Sequence, residues 1–202
     1  GPMYLADIRD AIAVMGQIED GIDYLKAALP LFIDAVNIHT CRISIAFCYL
    51  ALGDLENGWE WYQGRSKDDT FEAVHYAVPR PRWRPGMEVE GKNIFVSAEQ
   101  GLGDEIMFGT VLPDLLREVG SSGSVAIAVE PRLVPLFQRA FPDCLVVRHH
   151  TTEVKKQTVR IFPDITDWSG YDWYVLMADL LSRYRPNHTA LPASNVFFNQ
   201  LA

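Results

Sequence analysis

The stretch 93-NIFVSAEQGLGDEIMF-108 decides how most of this 202-residue chain folds. Its apolar run Ile94–Val96 predicts a buried strand over 93–98, and the glycine-rich segment Gly101–Gly103 then permits a tight turn. From Asp104 onward the apolar positions change to helical spacing, which predicts a helix over 105–119 that starts at or near Asp104. A strand, a glycine turn and a helix start in this order are typical of the ligand-facing corner of a parallel α/β sheet.

The same corner departs from the dinucleotide-binding fingerprint at two positions. Ile106 stands where that fingerprint has its third glycine, and Asp104 puts a carboxylate where a pyrophosphate would lie. The loop is therefore expected to offer a charge to a ligand rather than to cradle phosphate. Glu99 and Gln100 lie at the strand end, where ligand contacts are typical, and the glycines are interpreted as backbone requirements.

Further strands and helices alternate through the rest of the chain. Strands are predicted over 124–129, 145–148 and 173–176, with a weak strand over 158–162; helices are predicted over 131–141 and 178–184. Repeated βα units imply a parallel sheet with right-handed crossovers. Pro113 falls inside the first predicted helix, and a mild kink is expected there because the residue four positions earlier is a glycine.

The first third of the chain is helical in pattern and repeats itself. GQIEDGIDYLKA from Gly16 aligns with GDLENGWEWYQG from Gly53, an offset of 37 residues. In each copy an apolar helix (11–15 and 43–52) runs into a glycine turn, and a second helix follows near Gly21 or Gly58. The pattern resembles tetratricopeptide repeats, whose period is about 34 residues, and it predicts helical hairpins that bind a protein partner.

A break in the pattern separates the two parts. Residues 79–86 hold four breakers in the run PRPRWRPG, which excludes helix and sheet interior, so residues 66–91 are expected to be a connector. Three arginines around Trp83 allow a nucleic-acid interpretation, but a tryptophan that fills an apolar pocket of the protein is favoured.

Composition narrows the function classes. The formal charge of −8 opposes an extended nucleic-acid footprint and polybasic docking to a membrane. The cysteines 41, 48 and 144 are odd in number and form no CxxC pair, which indicates a reducing cytoplasm. No apolar run approaches the roughly 20 residues that span a bilayer, so no membrane span is expected.

A family resemblance rests on the order of several segments. The run from Trp83 through GKNIFVSAEQGLGDEIMF, then VEPRLVPLFQRAFP and YDWYVLMADL, resembles bacterial proteins that join tetratricopeptide repeats to a heptosyltransferase-like domain. The resemblance implies the amino-terminal, acceptor-side half of a GT-B fold, which is a Rossmann-like parallel α/β domain. It divides the chain into a tetratricopeptide-like segment (3–65), the connector (66–91) and the α/β domain (92–202).

The resemblance also implies a mechanism and a ligand set. Asp104 matches the aspartate proposed in heptosyltransferase-like enzymes as the general base for an inverting sugar transfer. Glu99, Gln100, Gly101, Leu102 and Gly103 would then line the ligand site, a sugar or protein being the acceptor. A helix cap is the competing interpretation of Asp104. No cofactor is expected in this chain, because a nucleotide sugar donor would bind to a carboxyl-terminal domain.

Two functions stay open from sequence. In the first, the chain is a fragment or a shortened relative of a glycosyltransferase, inactive alone because its cleft has one wall. In the second, the helical hairpins and a non-catalytic α/β platform form an adaptor or scaffold protein.

Other candidate sites are weaker. Glu130 ends a strand but lies too far from Gly103 for a nicotinamide ribose contact. His149 and His150 have no metal-ligand spacing with Cys144, so loop or surface histidines are expected and no metal site is predicted. The aromatic set Trp59, Trp61 and Tyr62 is assigned to repeat packing, and the aspartates Asp164, Asp167 and Asp172 to a solvated turn.

Overall fold

The computed structural model describes residues 18–66, 74–99 and 101–190. They form a helical unit, which contains residues 18–66 and 186–189, and an α/β unit, which contains residues 74–185. Residues 74–91, expected to belong to a connector, thus lie inside the α/β unit.

Residues 18–66 of the helical unit contain three α-helices. They are α1 (Ile18–Ala28), α2 (Ala35–Ala51) and α3 (Leu55–Tyr62). The carboxylates of Asp34 and Asp54 cap α2 and α3 by accepting hydrogen bonds from backbone N–H groups at 2.8 and 3.1 Å. The buried core of the unit consists of Ile22, Leu25, Cys41, Ile45 and Cys48.

Part of the proposed repeat lies within the described residues. Ile18 and Leu55, which correspond in the two copies, lie in α1 and α3. Gly53 has a φ of +78° in the turn before α3, a backbone conformation that favours glycine. At Gly58 a Cβ atom would come within 2.5 Å of the Leu50 side chain, so this glycine allows α2 and α3 to approach closely. The apolar segment of the first copy (11–15) and Gly16 lie outside the described residues.

The main sheet of the α/β unit has the predicted parallel strands. Its members are β2 (Asn93–Ser97), β3 (Ser124–Val129), β4 (Leu145–Arg148) and β7 (Trp173–Leu176), in the order β4-β3-β2-β7. Every neighbouring pair is parallel. The chain therefore builds the sheet outward from β2 through β4 and then returns to add β7 on the other side of β2.

The helices of this unit are more broken than predicted. They are α4 (Leu102–Phe108), α5 (Leu112–Val119), α6 (Val134–Ala140) and α7 (Leu181–Tyr184). Turns of 3-10 helix over Gly109–Val111, Pro131–Leu133 and Met177–Leu180 precede the last three.

The expected mild kink at Pro113 is wrong, because one helix ends at Phe108 and another begins at Leu112. Pro113 lies in the first turn of α5, where its missing N–H costs nothing. The Thr110 carbonyl in the break accepts a hydrogen bond from Arg185 Nη2 at 2.6 Å.

A second, three-stranded sheet was only partly predicted. It contains β1 (His75–Tyr76), β5 (His150–Val154) and β6 (Gln157–Ile161), in the order β1-β6-β5. The weak strand is confirmed as β6 within one residue at each end, whereas β1 and β5 were missed. Lys155 and Lys156, both with positive φ, form the tight turn that joins β5 to β6 antiparallel.

Aromatic side chains fill the core on one side of the main sheet. Phe95 packs edge to face against Phe162 and Trp168, with ring centroids 4.8 Å apart in each case. Trp83 is 1% exposed and its indole N–H donates to the Met87 carbonyl, which confirms that this side chain is a buried anchor. Arg82 makes a single parallel bridge to Tyr174 of β7, as expected for a proline-rich segment at a sheet edge.

Candidate functional site

The strand order creates a topological switch point between β2 and β7. In the sheet, β3 lies on one side of β2 and β7 lies on the other side. In open α/β sheets ligands bind beyond the carboxyl ends of the strands at such a point. Here the segments that follow the two strands begin with Ala98-Glu99 and with Met177-Ala178.

Hydrogen bonds to neighbouring segments fix the loop that follows β2. The Ala98 N–H donates to the Ala128 carbonyl at 2.8 Å, and the Ala98 carbonyl accepts from Arg160 Nη1 at 2.8 Å. Glu99 is buried, and its Oε1 accepts from the Ala178 N–H at 3.2 Å. The Glu99 carboxylate therefore joins the ends of β2 and β7. Gln100 lies outside the described residues.

The glycines of the loop are not explained by backbone conformation. Gly101 has an extended φ of −95°, and neither it nor Gly103 has a positive φ. A Cβ atom at Gly103 would meet nothing within 4 Å, and at Gly101 it would meet only the Asp104 carboxylate, at 3.8 Å. The expected backbone requirement is therefore wrong for both glycines. Their missing side chains leave open space on the exposed side of the turn, into which a ligand can approach.

Asp104 lies in the first turn of α4, but it is not the helix cap. Gly101 is the cap residue, and α4 begins at Leu102, two residues before Asp104. The Asp104 side chain is half-buried, and its Oδ2 is 3.5 Å from the Gly101 N–H, at the outer limit of a hydrogen bond. The prediction of a helix start near Asp104 is confirmed, and the simple N-cap interpretation is wrong.

Glu105, the next residue, forms a buried pair that sequence analysis missed. Its Oε1 is 2.9 Å from His149 Nε2, and its Oε2 accepts from the Glu130 N–H at 2.8 Å. The side chains of Glu105 and His149 are 1% and 6% exposed. His149 lies in the connection between β4 and β5, so the expected loop position is confirmed, but its side chain is buried rather than at the surface. The only available signal was its place directly after β4, where a side chain reaches the carboxyl edge of the sheet.

A buried ion pair lies after β7. Arg82 Nη2 is 2.7 Å from Asp179 Oδ2, and the two side chains are 8% and 4% exposed. Burial of charge is costly unless partners are close, so both pairs fix the geometry of this edge. Arg82 comes from the segment expected as a connector.

The other candidate residues from the sequence already make contacts within the protein. Desolvation acts to raise the pKa of Glu130, but hydrogen bonds from the Arg132 side chain and N–H outweigh it and lower that pKa. Asp164 contacts Arg148, Asp167 accepts from Ser169, and Asp172 accepts from the Asn93 N–H. In the part of the chain that the structure describes, no group of three metal-ligating side chains could hold a metal ion.

The aromatic side chains of the helical unit pack as expected. Trp59 and Tyr62 meet edge to face with ring centroids 6.0 Å apart, and Tyr62 is buried. Lys26 Nζ lies 5.8 Å from the centre of the Trp61 ring. Of the helices over 18–66, 74–99 and 101–190, none has the length and hydropathy to cross a membrane.

Comparison with known proteins gives one named relative. The chain is 34% identical over 183 residues to Protein FlbA of Caulobacter vibrioides, and the aligned region covers 91% of this chain. It covers 30% of FlbA, so the chain spans about a third of the length of that relative. No family model matches the chain, and no solved structure matches it.

Proposed function

We propose that the α/β unit is the acceptor-side half of a GT-B glycosyltransferase, with Asp104 as the general base. The helical unit is proposed to be a tetratricopeptide-like segment that contacts a protein partner. Because the chain spans 30% of FlbA, a donor-binding domain would have to come from another segment or another chain.

The main support for this proposal is the position of the Asp104 carboxylate and the weakness of its hydrogen bonding. It lies on the first helical turn after the switch-point strand, is half-buried, and has one long hydrogen bond. A general base must reach a ligand proton without breaking a strong bond of its own. The open space at Gly101 and Gly103 gives an acceptor a path to this carboxylate.

The chemistry needs one proton acceptor on this side of the cleft. Asp104 takes the proton of an acceptor hydroxyl while that oxygen bonds to the anomeric carbon of the donor. The bond from that carbon to the donor phosphate breaks, which inverts the configuration. The charge of −8 and the inward-facing Glu99 favour an uncharged or cationic acceptor at this edge.

A binding platform without catalysis is the second candidate function. A groove of about 590 Å³ lies at the opposite, amino-terminal edge of the sheet, lined in part by Leu116, Val119, Phe141 and Cys144. This concave surface, which Ser121, Ser124 and Asp143 also line, favours a binding role that does not involve Asp104.

Replacement of Asp104 separates the two candidates. In a protein that joins this chain to a donor domain, Asp104→Asn should lower turnover by about 10²- to 10⁴-fold, because an amide cannot accept the proton. Acceptor affinity should change far less. Turnover is measured as nucleotide released from a panel of nucleotide sugars, and the 202-residue chain alone should show none, because half of the substrate positioning is absent.

The matched control is Asp23→Asn, an exposed aspartate of α1 in the helical unit. It should leave turnover unchanged. Turnover of the Asp104→Asn protein within about threefold of the parent would exclude Asp104 as the base and favour the platform.

A further inference from the structure

We infer that Glu105 and His149 are positioning residues that hold the Asp104 turn against the carboxyl edge of the sheet. This inference rests on the proposed function for its catalytic meaning. The anchoring itself is a property of the fold and is tested separately below.

Glu105 ties one helical turn to the ends of two strands. Its carboxylate accepts the N–H of Glu130, which follows β3, and meets the ring of His149, which follows β4. Its own N–H donates to the Gly101 carbonyl at 3.0 Å. Because Asp104 is the adjacent residue in the same turn, these contacts restrict where its carboxylate can lie.

The turn needs such a tie because its local cap is weak. Helices α2 and α3 have aspartate caps at 2.8 and 3.1 Å. Gly101, at the same position before α4, has no side chain to accept a hydrogen bond. A first turn whose cap residue offers no side-chain acceptor frays more readily than one with an aspartate cap. The buried pair replaces the missing cap with contacts to strands, which are the more rigid part of the unit.

The pair is also held from the histidine side. The His149 N–H donates to the Val129 carbonyl at 2.9 Å, which fixes its backbone beside the end of β3. An apolar pair would fill the same volume without the cost of burying charge. A carboxylate with both oxygens occupied instead specifies a single arrangement of the turn.

The substitutions His149→Gln and His149→Asn introduce the same amide group on side chains of different length. In Gln the side-chain amide nitrogen can occupy the place of Nε2 and donate to Glu105, whereas the shorter Asn cannot reach it. In the 202-residue chain, His149→Asn should speed hydrogen exchange of the Glu105 amide by about tenfold or more, since a hydrogen bond to a charged group is lost. His149→Gln should stay within about threefold of the parent, and amides in the middle of β3 should be little affected in either variant.

The control is His150→Asn, the same substitution at the next residue, whose side chain is exposed at the start of β5. It should leave exchange of the Glu105 amide unchanged. Equal acceleration by His149→Gln and His149→Asn, or acceleration of β3 as large as that of α4, would overturn the anchoring role. If His149→Asn fails to fold, Glu105→Gln against Glu105→Leu repeats the comparison from the other partner, and only the leucine should loosen α4.

Turnover measurements test whether the contact between Glu105 and His149 supports catalysis. In the protein with a donor domain, His149→Asn should lower kcat by about tenfold with KM within about threefold, and His149→Gln should restore kcat. An unchanged kcat for His149→Asn, where Asp104→Asn abolishes turnover, would overturn the positioning role alone. Full turnover of Asp104→Asn would instead reject the proposed function and leave the exchange result standing.

Discussion

The two units differ in degree in the side chains that they expose and bury: among the described residues both expose some large apolar side chains, but the most exposed of these lie in the helical unit. The helical unit leaves large apolar side chains in solvent: Ile33 is 98% and Leu31 is 78% exposed. The α/β unit removes charged side chains from solvent, including Glu99, Glu105 and Asp179. Clustered buried charge is typical of a site with defined chemistry, which is the role proposed for the α/β unit.

The largest effect is expected when one partner of a buried ion pair is removed. Arg82→Met should destabilise the α/β unit by about 3 to 5 kcal/mol, because it leaves the Asp179 carboxylate buried without its closest cation. The measurement is urea dependence of hydrogen exchange in β2 and β3. Arg117→Met removes a pair to Asp114 whose arginine is 74% exposed, and it should cost less than about 1 kcal/mol. Equal losses of stability in Arg82→Met and Arg117→Met would show that burial does not increase the cost of removing an arginine from its ion pair.

A second test compares two isoleucines of the helical unit. Ile45 is fully buried and Ile33 is almost fully exposed. Ile45→Ala should lower the free energy of unfolding of this unit by about 2 to 5 kcal/mol, and Ile33→Ala by less than about 0.5 kcal/mol. Hydrogen exchange in α2 measures both effects. A loss above about 2 kcal/mol for Ile33→Ala would show that this residue is not free surface.

An intermediate effect is expected from pH. The hydrogen bond from Arg183 lowers the pKa of Glu118, against the opposing effect of desolvation, and the Tyr184 hydroxyl lowers it further. A carboxyl whose folded pKa is depressed stabilises the fold above its unfolded pKa, and that stability is lost as pH falls through the folded value. Between about pH 5 and pH 3 the parent should therefore lose up to about 1 kcal/mol more stability than Glu118→Gln.

Unfolding in urea at a series of pH values checks this prediction. Equal pH dependence of parent and variant would show that Glu118 is no better stabilised in the folded than in the unfolded chain.

The smallest effect concerns stability at the candidate site. Gly103→Ala should stabilise α4 by about 0.5 to 1 kcal/mol, because alanine is the better helix former and its Cβ meets nothing within 4 Å. The same methyl group would occupy the space proposed for the acceptor, so turnover of the protein with a donor domain should fall.

Thermal unfolding and turnover of the same variant provide the two measurements. A gain in stability with unchanged turnover would indicate that no ligand approaches Gly103. Gly58→Ala is the opposite case, because its Cβ would collide with Leu50 and should destabilise the helical unit by about 1 to 3 kcal/mol.

The parallel sheet was predictable because its strands are short and mostly apolar. β3 and β4 match the predicted bounds, since buried runs between turn residues leave little choice of secondary structure. The edge strands β1 and β5 were missed, because HY and HTTEV carry polar side chains and have no distinctive period. Pairing with a neighbouring strand, rather than local preference, makes them strands.

The candidate site was predictable in place and only partly in composition. The sequence located the turn from residue 99 to residue 104, because a strand followed by glycines and a helix has a recognisable local pattern. It did not identify Glu105, whose partners come from positions 130 and 149.

By itself, then, the sequence determined the strands of the main sheet and the carboxyl-edge position of Asp104, because both follow from local periodicity and chain direction. Only the tertiary structure decided that His149 meets Glu105, that Arg82 meets Asp179 and that Gly101 replaces Asp104 as the helix cap. These contacts join residues far apart in the chain or depend on a helix start two residues earlier than the pattern indicated. Their energies depend on burial, and burial is a property of the packed sheet rather than of any one segment.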